Sequence, residues 1–220
     1  MISDLQIVNL LIAQYQDPAK GFDVSDPGVG PSGICWSSVN VSGTTVICLR
    51  GSKTFWDWFK DFIALATPYD HETLGPTHPG FTLGMDRCWR DIKASTTGPY
   101  VIAGHSLGGG RASILTGLML EDNVHPLSRV TFGEPKPGFS QLAQYISSVP
   151  ARAYRNGDGH HHDMVTDFPL TISMEEYTHP TPLIELSATP SDQHEALFGM
   201  FKFHHISLYG AALTVQPPSL

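Results

Sequence analysis

Apolar side chains recur at helical spacing from Ile2 to Tyr15, with Ile2, Leu5, Ile7, Val8, Leu11, Ile12 and Tyr15 in the repeat, and Asp17-Pro18 ends the run. The pattern predicts an amphipathic opening helix. Residues 21–33 are rich in Gly, Pro and Asp and read as loop, whereas Val46-Ile47-Cys48-Leu49 is a continuous apolar run suited to a strand covered on both faces. Residues 54–66 predict a helix whose polar residues Asp57, Lys60 and Asp61 form one narrow stripe, leaving Phe55, Trp56, Trp58, Phe59, Phe62 and Ile63 to cover the rest. Another helix is expected from about Phe81 to Ile92, with Phe81, Met85, Cys88, Trp89 and Ile92 on one side. Beyond it, residues 99–103 read as strand, 106–120 as helix, 130–132 as strand, 139–147 as helix and 151–154 as strand. Strands alternating with helices imply parallel crossovers, and so an α/β fold with a mostly parallel central sheet and helices on both faces. No repeat, low-complexity tract or linker divides residues 1–220, so a single domain is expected.

Composition narrows the partners. Charged residues reach only 15% and the formal charge is −8, from 13 basic against 21 acidic side chains, with no Lys/Arg run. Such a chain repels a polyphosphate backbone, which argues against nucleic acid. The longest apolar stretch, Ile7 to Ala13 with Asn9 inside it, is far short of the roughly 18 residues of a membrane span. Lys20 is the first basic residue, so the start lacks the positive region of a secretory signal; the expected location is the cytoplasm, or outside the cell if a leader precedes this numbering. Cys35, Cys48 and Cys88 have no C-x-x-C spacing. A hairpin of residues 34–39 with 44–49 about Asn40–Gly43 would set Cys35 opposite Cys48, leaving a bridge open beside the alternative of buried free thiols.

The sharpest chemical signal is Gly104-His105-Ser106-Leu107-Gly108, a G-x-S-x-G lying between an apolar strand and an apolar-periodic helix. In that context the glycines permit a strained turn, the Ser106 hydroxyl stands clear of the sheet, and the Leu107 N–H points where an oxyanion would form. Serine is a weak nucleophile and needs a base and an orienting acid, which the order Ser, Asp, His places downstream. Asp158, Asp163 and Asp167 follow the strand ending near Tyr154, and His194, His204 and His205 lie toward the C-terminus; spacing alone does not choose among them. The run His160-His161-His162 has no accompanying Cys or E-x-x-H, and consecutive residues on a regular element cannot all face one ion, so it reads as solvated loop rather than a metal site.

Several segments in order resemble the class 3 (fungal-type) triacylglycerol lipases of the α/β-hydrolase superfamily. Leu49-Arg50-Gly51-Ser52 with Trp56-Asp57-Trp58-Phe59-Lys60-Asp61-Phe62, Thr77-His78-Pro79-Gly80-Phe81, the elbow at Ser106, and Arg129-Val130-Thr131-Phe132-Gly133-Glu134-Pro135 are each similar to family motifs. The resemblance implies an α/β-hydrolase fold and a serine lipase or esterase needing no metal or organic cofactor. It implies Ser106 as nucleophile, Asp163 as acid from Asp163-Met164-Val165-Thr166-Asp167-Phe168-Pro169, and His204 as base from His204-His205-Ile206-Ser207-Leu208-Tyr209. Asp158 and His205 remain alternatives in those two roles. Ser52 and Leu107 would form the oxyanion hole, and the 54–66 helix begins where the family carries its lid. The implied substrate is a small ester or lipid of short to medium chain, met with transient contact at a lipid interface. Feruloyl or aryl esterase and phospholipase A1 activities fit the same site, and a non-catalytic hydrolase-like binding module is the reading from another class. Nothing in the chain indicates an oligomeric state.

Overall fold

The computed structural model describes residues 2–16, 34–51, 67–169, 176–188 and 199–215, so Ser52, His194 and the helix expected over 54–66 lie outside the described residues. The opening periodicity forms α1 (Asp4–Gln16). A hairpin of β1 (Cys35–Val41) and β2 (Thr44–Arg50) follows, and a small separate hairpin joins β3 (Tyr69–His71) to β4 (Gly75–Thr77). The remaining sheet strands are β5 (Tyr100–His105), β6 (Ser128–Phe132), β7 (Ala151–Gly157) and β8 (Leu183–Ser187). The main sheet runs β1-β2-β5-β6-β7-β8, antiparallel at the β1–β2 edge and parallel at every later pair.

Alternation along the strands explains why β2 and β5 read as continuous apolar runs. Val46 and Cys48 of β2, Val101 and Ala103 of β5, and Val130 and Phe132 of β6 join a core with α1 and the C-terminal helix, Ile206–Val215. Ile47, Leu49 and Ile102 instead join Phe81, Met85, Trp89, Leu115 and Leu118 in a second core on the opposite face. Both faces are dry, which is the condition for a parallel sheet.

Two expectations require correction. The helix expected from Phe81 to Ile92 is broken into α2 (Pro79–Thr82) and α3 (Met85–Ser95), because Leu83 leaves the helical region at ψ 126°. All five residues assigned to its apolar side are nonetheless buried in one cluster, so the periodicity survives the break. In the first hairpin Cys35 faces Arg50 and Cys48 faces Ser37. The connection is a two-residue turn, Ser42 and Gly43 at φ 51° and 83°, shorter than the one assumed, and this shifts the pairing. All three cysteines are free, and burial pushes the Cys48 and Cys88 thiols up to about 12.

Candidate active site

Strand β5 ends at His105 and α4 (Leu107–Glu121) begins two residues on, leaving Ser106 at the corner with φ 60° and ψ −131°. A non-glycine residue holds such a conformation only when its surroundings impose it. Here the Ser106 N–H donates to the Phe132 carbonyl at 3.0 Å, and the Ser106 carbonyl accepts from the Gly109 N–H at 2.8 Å. The flanking glycines are sterically required: a Cβ on Gly104 would lie 2.2 Å from the Gly108 oxygen, and one on Gly108 would lie 2.0 Å from the Leu49 oxygen. Leu107 is the first residue of α4, where N–H groups have no acceptor within the helix and the dipole favours negative charge.

Asp163 sits beyond the carboxyl end of β7, just before the 3-10 turn Met164–Asp167, and is wholly buried. Its backbone N–H donates to the Asn156 carbonyl at 2.8 Å, and its Oδ1 accepts from the Val165 N–H at 3.0 Å. Oδ2 accepts from the Tyr209 hydroxyl at 2.6 Å and lies 2.7 Å from His204 Nδ1. Burial pushes this carboxyl up, but the facing imidazole, the phenol and the Val165 N–H together hold it below the ordinary carboxylate value. An ionised carboxylate only accepts, so His204 donates from Nδ1 and its Nε2 is left as the basic atom. Burial first, and then the neighbouring Asp163, raise the Tyr209 phenol well above its usual range and keep it a donor.

His204 closes a 3-10 turn, Gly199–His204, and is 6% exposed. Its ring lies over Gly133: a Cβ built there would sit 2.9 Å from both Cε1 and Nδ1 of His204 and 2.6 Å from Asp163 Oδ2. Gly133 directly follows Phe132, whose carbonyl holds the Ser106 N–H. The elbow, the imidazole and the carboxylate therefore converge at the end of β6. His105 stacks on His204 with ring centroids 4.8 Å apart.

The alternatives are placed elsewhere. Asp158 is exposed; its Oδ1 accepts from the His161 and His160 N–H groups at 2.7 and 2.8 Å, and these two bonds hold its carboxyl down to about 2. It caps its own loop. His205 Nδ1 accepts from the Ser207 N–H at 3.3 Å and lies 2.7 Å from the Ser207 hydroxyl, serving the start of the C-terminal helix. Within the histidine run, His161 faces Asp158 and His162 faces Asp167, the latter at 2.8 Å. Among the described residues no group of three or more His, Cys, Asp or Glu side chains could hold a metal ion.

Sequence reasoning missed Tyr15, His105, Gly133 and the contact between Tyr209 and Asp163. Tyr209 ends the His204–Tyr209 segment on which the family resemblance places the base, so that segment held a signal for it. Tyr15 looks like one more apolar position of α1, and His105 like a filler of the elbow.

Comparison with known proteins agrees with the fold. The family model described as Lipase (class 3) matches residues 46–173, more than half of the chain. A secreted mono- and diacylglycerol lipase from Fusarium solani is 26% identical over 162 residues, covering 70% of this chain and 47% of that protein, so the chain spans about half the length of that relative. The crystal structure of a lipase from Rhizopus microsporus var. chinensis superposes with a TM-score of 0.64 at 18% identity, over 86% of this chain and 73% of that one. That of a mono- and diacylglycerol lipase from Aspergillus oryzae gives 0.60 at 18% identity, over 91% and 87%. At such identities the structural likeness establishes the α/β-hydrolase fold, and the family match establishes the rest: this chain belongs to the class 3 lipases.

Proposed function

We propose that the chain is a serine carboxylic ester hydrolase that cleaves acyl esters through an acyl-enzyme. His204 takes the Ser106 hydroxyl proton, and the serine oxygen attacks the ester carbonyl. The carbonyl oxygen, now negative, is held by the Leu107 N–H and, on the family resemblance, by that of Ser52. His204 then returns the proton to the departing alcohol. Water activated by the same imidazole releases the acid and frees Ser106. Asp163 holds the ring with Nδ1 as donor and offsets its charge when protonated. The single observation that carries this reading is the Asp163–His204 pair, 2.7 Å apart, seated over Gly133 beside the carbonyl that anchors the Ser106 elbow.

The substrate follows from the relatives rather than from the pocket. Two of them bear the names of mono- and diacylglycerol lipases, which favours partial glycerides as substrates. The Fusarium protein is named as secreted, which favours the extracellular side of the two locations the sequence leaves open. No helix among the described residues is long and apolar enough to cross a membrane.

The test is direct. Wild type should hydrolyse p-nitrophenyl butyrate and react with a fluorophosphonate probe. Ser106→Ala should lose the label and about 10⁴-fold or more in turnover while keeping its circular dichroism. Undiminished esterase activity in that variant would remove Ser106 from the mechanism. Rates on esters of increasing chain length, below and above their solubility limits, then define the acyl preference and show whether an interface activates the enzyme.

A further inference from the structure

A chain of hydrogen bonds, fully buried only at its His105–His204 link, runs beside the site. The Gly51 N–H donates to the Tyr15 hydroxyl at 2.9 Å, and that hydroxyl lies 2.8 Å from His105 Nδ1. His105 Nε2 lies 2.8 Å from the carbonyl oxygen of His204. A carbonyl only accepts, so Nε2 carries the proton, Nδ1 accepts, and the Tyr15 hydroxyl donates to it. The order is therefore Gly51 N–H to Tyr15 O–H to His105, then His105 N–H to the His204 carbonyl. Every donor has one acceptor and the ring is neutral. Burial, followed by the nearby His204, lowers the His105 pKa well below its usual value, in keeping with that assignment.

The two ends of this chain both belong to the proposed machinery. Gly51 directly precedes Ser52, the second oxyanion donor on the family resemblance, and its Cα leaves no room: a Cβ there would lie 2.8 Å from the Tyr15 oxygen and 2.9 Å from Ser106 Cβ. His204 is the proposed base, its carbonyl one residue-length from its ring. Tyr15 itself cannot drift. Its ring lies under the Arg50 guanidinium at 5.4 Å, and the preceding residue, Gln14, donates from Nε2 to the Cys48 carbonyl at 3.2 Å. At the far end of α1, Asp4 receives both Nε and Nη2 of Arg152 on β7, at 2.6 and 2.7 Å. The helix is thus tied to the sheet at both ends.

We propose that Tyr15, acting through His105, is a positioning residue that sets Gly51 and the backbone of His204 relative to Ser106. Its hydroxyl joins Gly51, next to Ser106, to the backbone of His204 through one buried histidine. The hydroxyl is already engaged by Gly51 and His105 and the ring packs against the core, so removing the hydroxyl loosens the geometry and leaves the helix in place. The inference rests on the hydrolase reading above.

Tyr15→Phe in the full chain tests it, assayed with p-nitrophenyl butyrate and with the fluorophosphonate. Because small displacements of reacting groups cost up to about 10²-fold, kcat should fall about tenfold or more with KM within roughly twofold of wild type. Phosphonylation should slow by the same factor. Active-site titration should find as many reactive serines as in wild type, which separates lost positioning from lost folding. His105→Gln, whose amide can replace both bonds, should retain more activity than His105→Leu, and adding Tyr15→Phe to His105→Leu should cost little more. A Tyr15→Phe enzyme with unchanged kcat, or one whose loss equals its missing active sites, overturns the proposal. So does a ¹⁵N imidazole spectrum showing His105 protonated on Nδ1. A wild type that neither hydrolyses the ester nor takes the label sinks the hydrolase reading and this one together, whereas an active wild type matched by Tyr15→Phe sinks this one alone.

Discussion

A methyl group on Gly133 would press on Asp163 Oδ2 and on two atoms of the His204 ring, and the residue already lies at φ 57°. Gly133→Ala therefore meets a backbone penalty of about 1–2 kcal/mol and displaces the acid–base pair, so kcat should fall about 100-fold with secondary structure intact by circular dichroism. Asp163→Asn keeps the shape but can present an amide N–H to His204 Nδ1, reversing which ring nitrogen bears the proton. A loss of about 10⁴-fold in kcat is expected by analogy with such substitutions in serine hydrolases, and an enzyme within tenfold of wild type would remove Asp163 from its role. Tyr209→Phe strips one of the donors that keep that carboxylate ionised, at about 1.5–3 kcal/mol for a bond to a charged group, readable as a lower urea midpoint. At this scale the sequence was legible where a residue's type is its chemistry. Ser106 announced itself through its glycines. Asp163 and His204 did not, because several Asp and His residues lie nearby and spacing says nothing about which of them points inward; only the family motifs ranked them.

Helices and strands were legible where burial imposes a period. The runs that became β2 and β5 are largely apolar because each strand feeds two cores, whereas β6 gives Val130 and Phe132 to one core only, and α4 is buried along nearly its whole length between sheet and surface helices. What periodicity cannot register is a change of direction that preserves the apolar face, which is why the Phe81–Ile92 helix concealed a break at Leu83. Nor does it see short edge elements: β8 has a single buried residue, Leu186, and so little amphipathic signal. The hairpin register failed for a related reason, since Ser42 is an unusual residue for a turn in which both central φ angles are positive. That observation makes a prediction. Asparagine tolerates this conformation far better than serine, and Asn-Gly is the preferred pair for such two-residue turns. Ser42→Asn should stabilise the protein by roughly 0.5 kcal/mol, the lower end for favourable turn and cap substitutions, seen as a higher urea midpoint with unchanged kcat. A lower midpoint would mean that the turn differs from the one described.

For the molecule as a whole, two neutral histidines, the buried His105 and the partly exposed His179, shape how stability responds to acid. His105 is 5% exposed, and burial, then His204, hold its pKa well below 6.5 despite the Asp163 charge; Tyr15, Tyr209, His204 and His205 complete its surroundings. His179, with Nε2 2.8 Å from the Thr166 carbonyl, is also lowered by burial. Near pH 8 folded and unfolded chains both carry these rings uncharged, so neither ring makes stability depend on pH. Below pH 6.5 the unfolded chain binds protons that the folded chain refuses, and the unfolded state gains. For His105 the loss is about 1.4 kcal/mol per pH unit until the folded ring itself titrates; the partly exposed His179 adds a smaller contribution of the same sign. Asp163 acts in a lower window: its pKa is depressed, so its contribution is complete above about 3.9 and fades only as pH falls further. Protonating surface carboxylates on a chain of formal charge −8 relieves repulsion, but that relief also begins below the histidine window. The urea midpoint should accordingly decline steadily from pH 7 to pH 5, and His105→Gln should flatten the decline. Imidazole NMR supplies the direct measure, because the His105 resonances should begin to titrate only well below pH 6.5. Resonances that titrate near pH 6.5 in the folded protein would show that the ring is free to charge, and the acid sensitivity would then need another source.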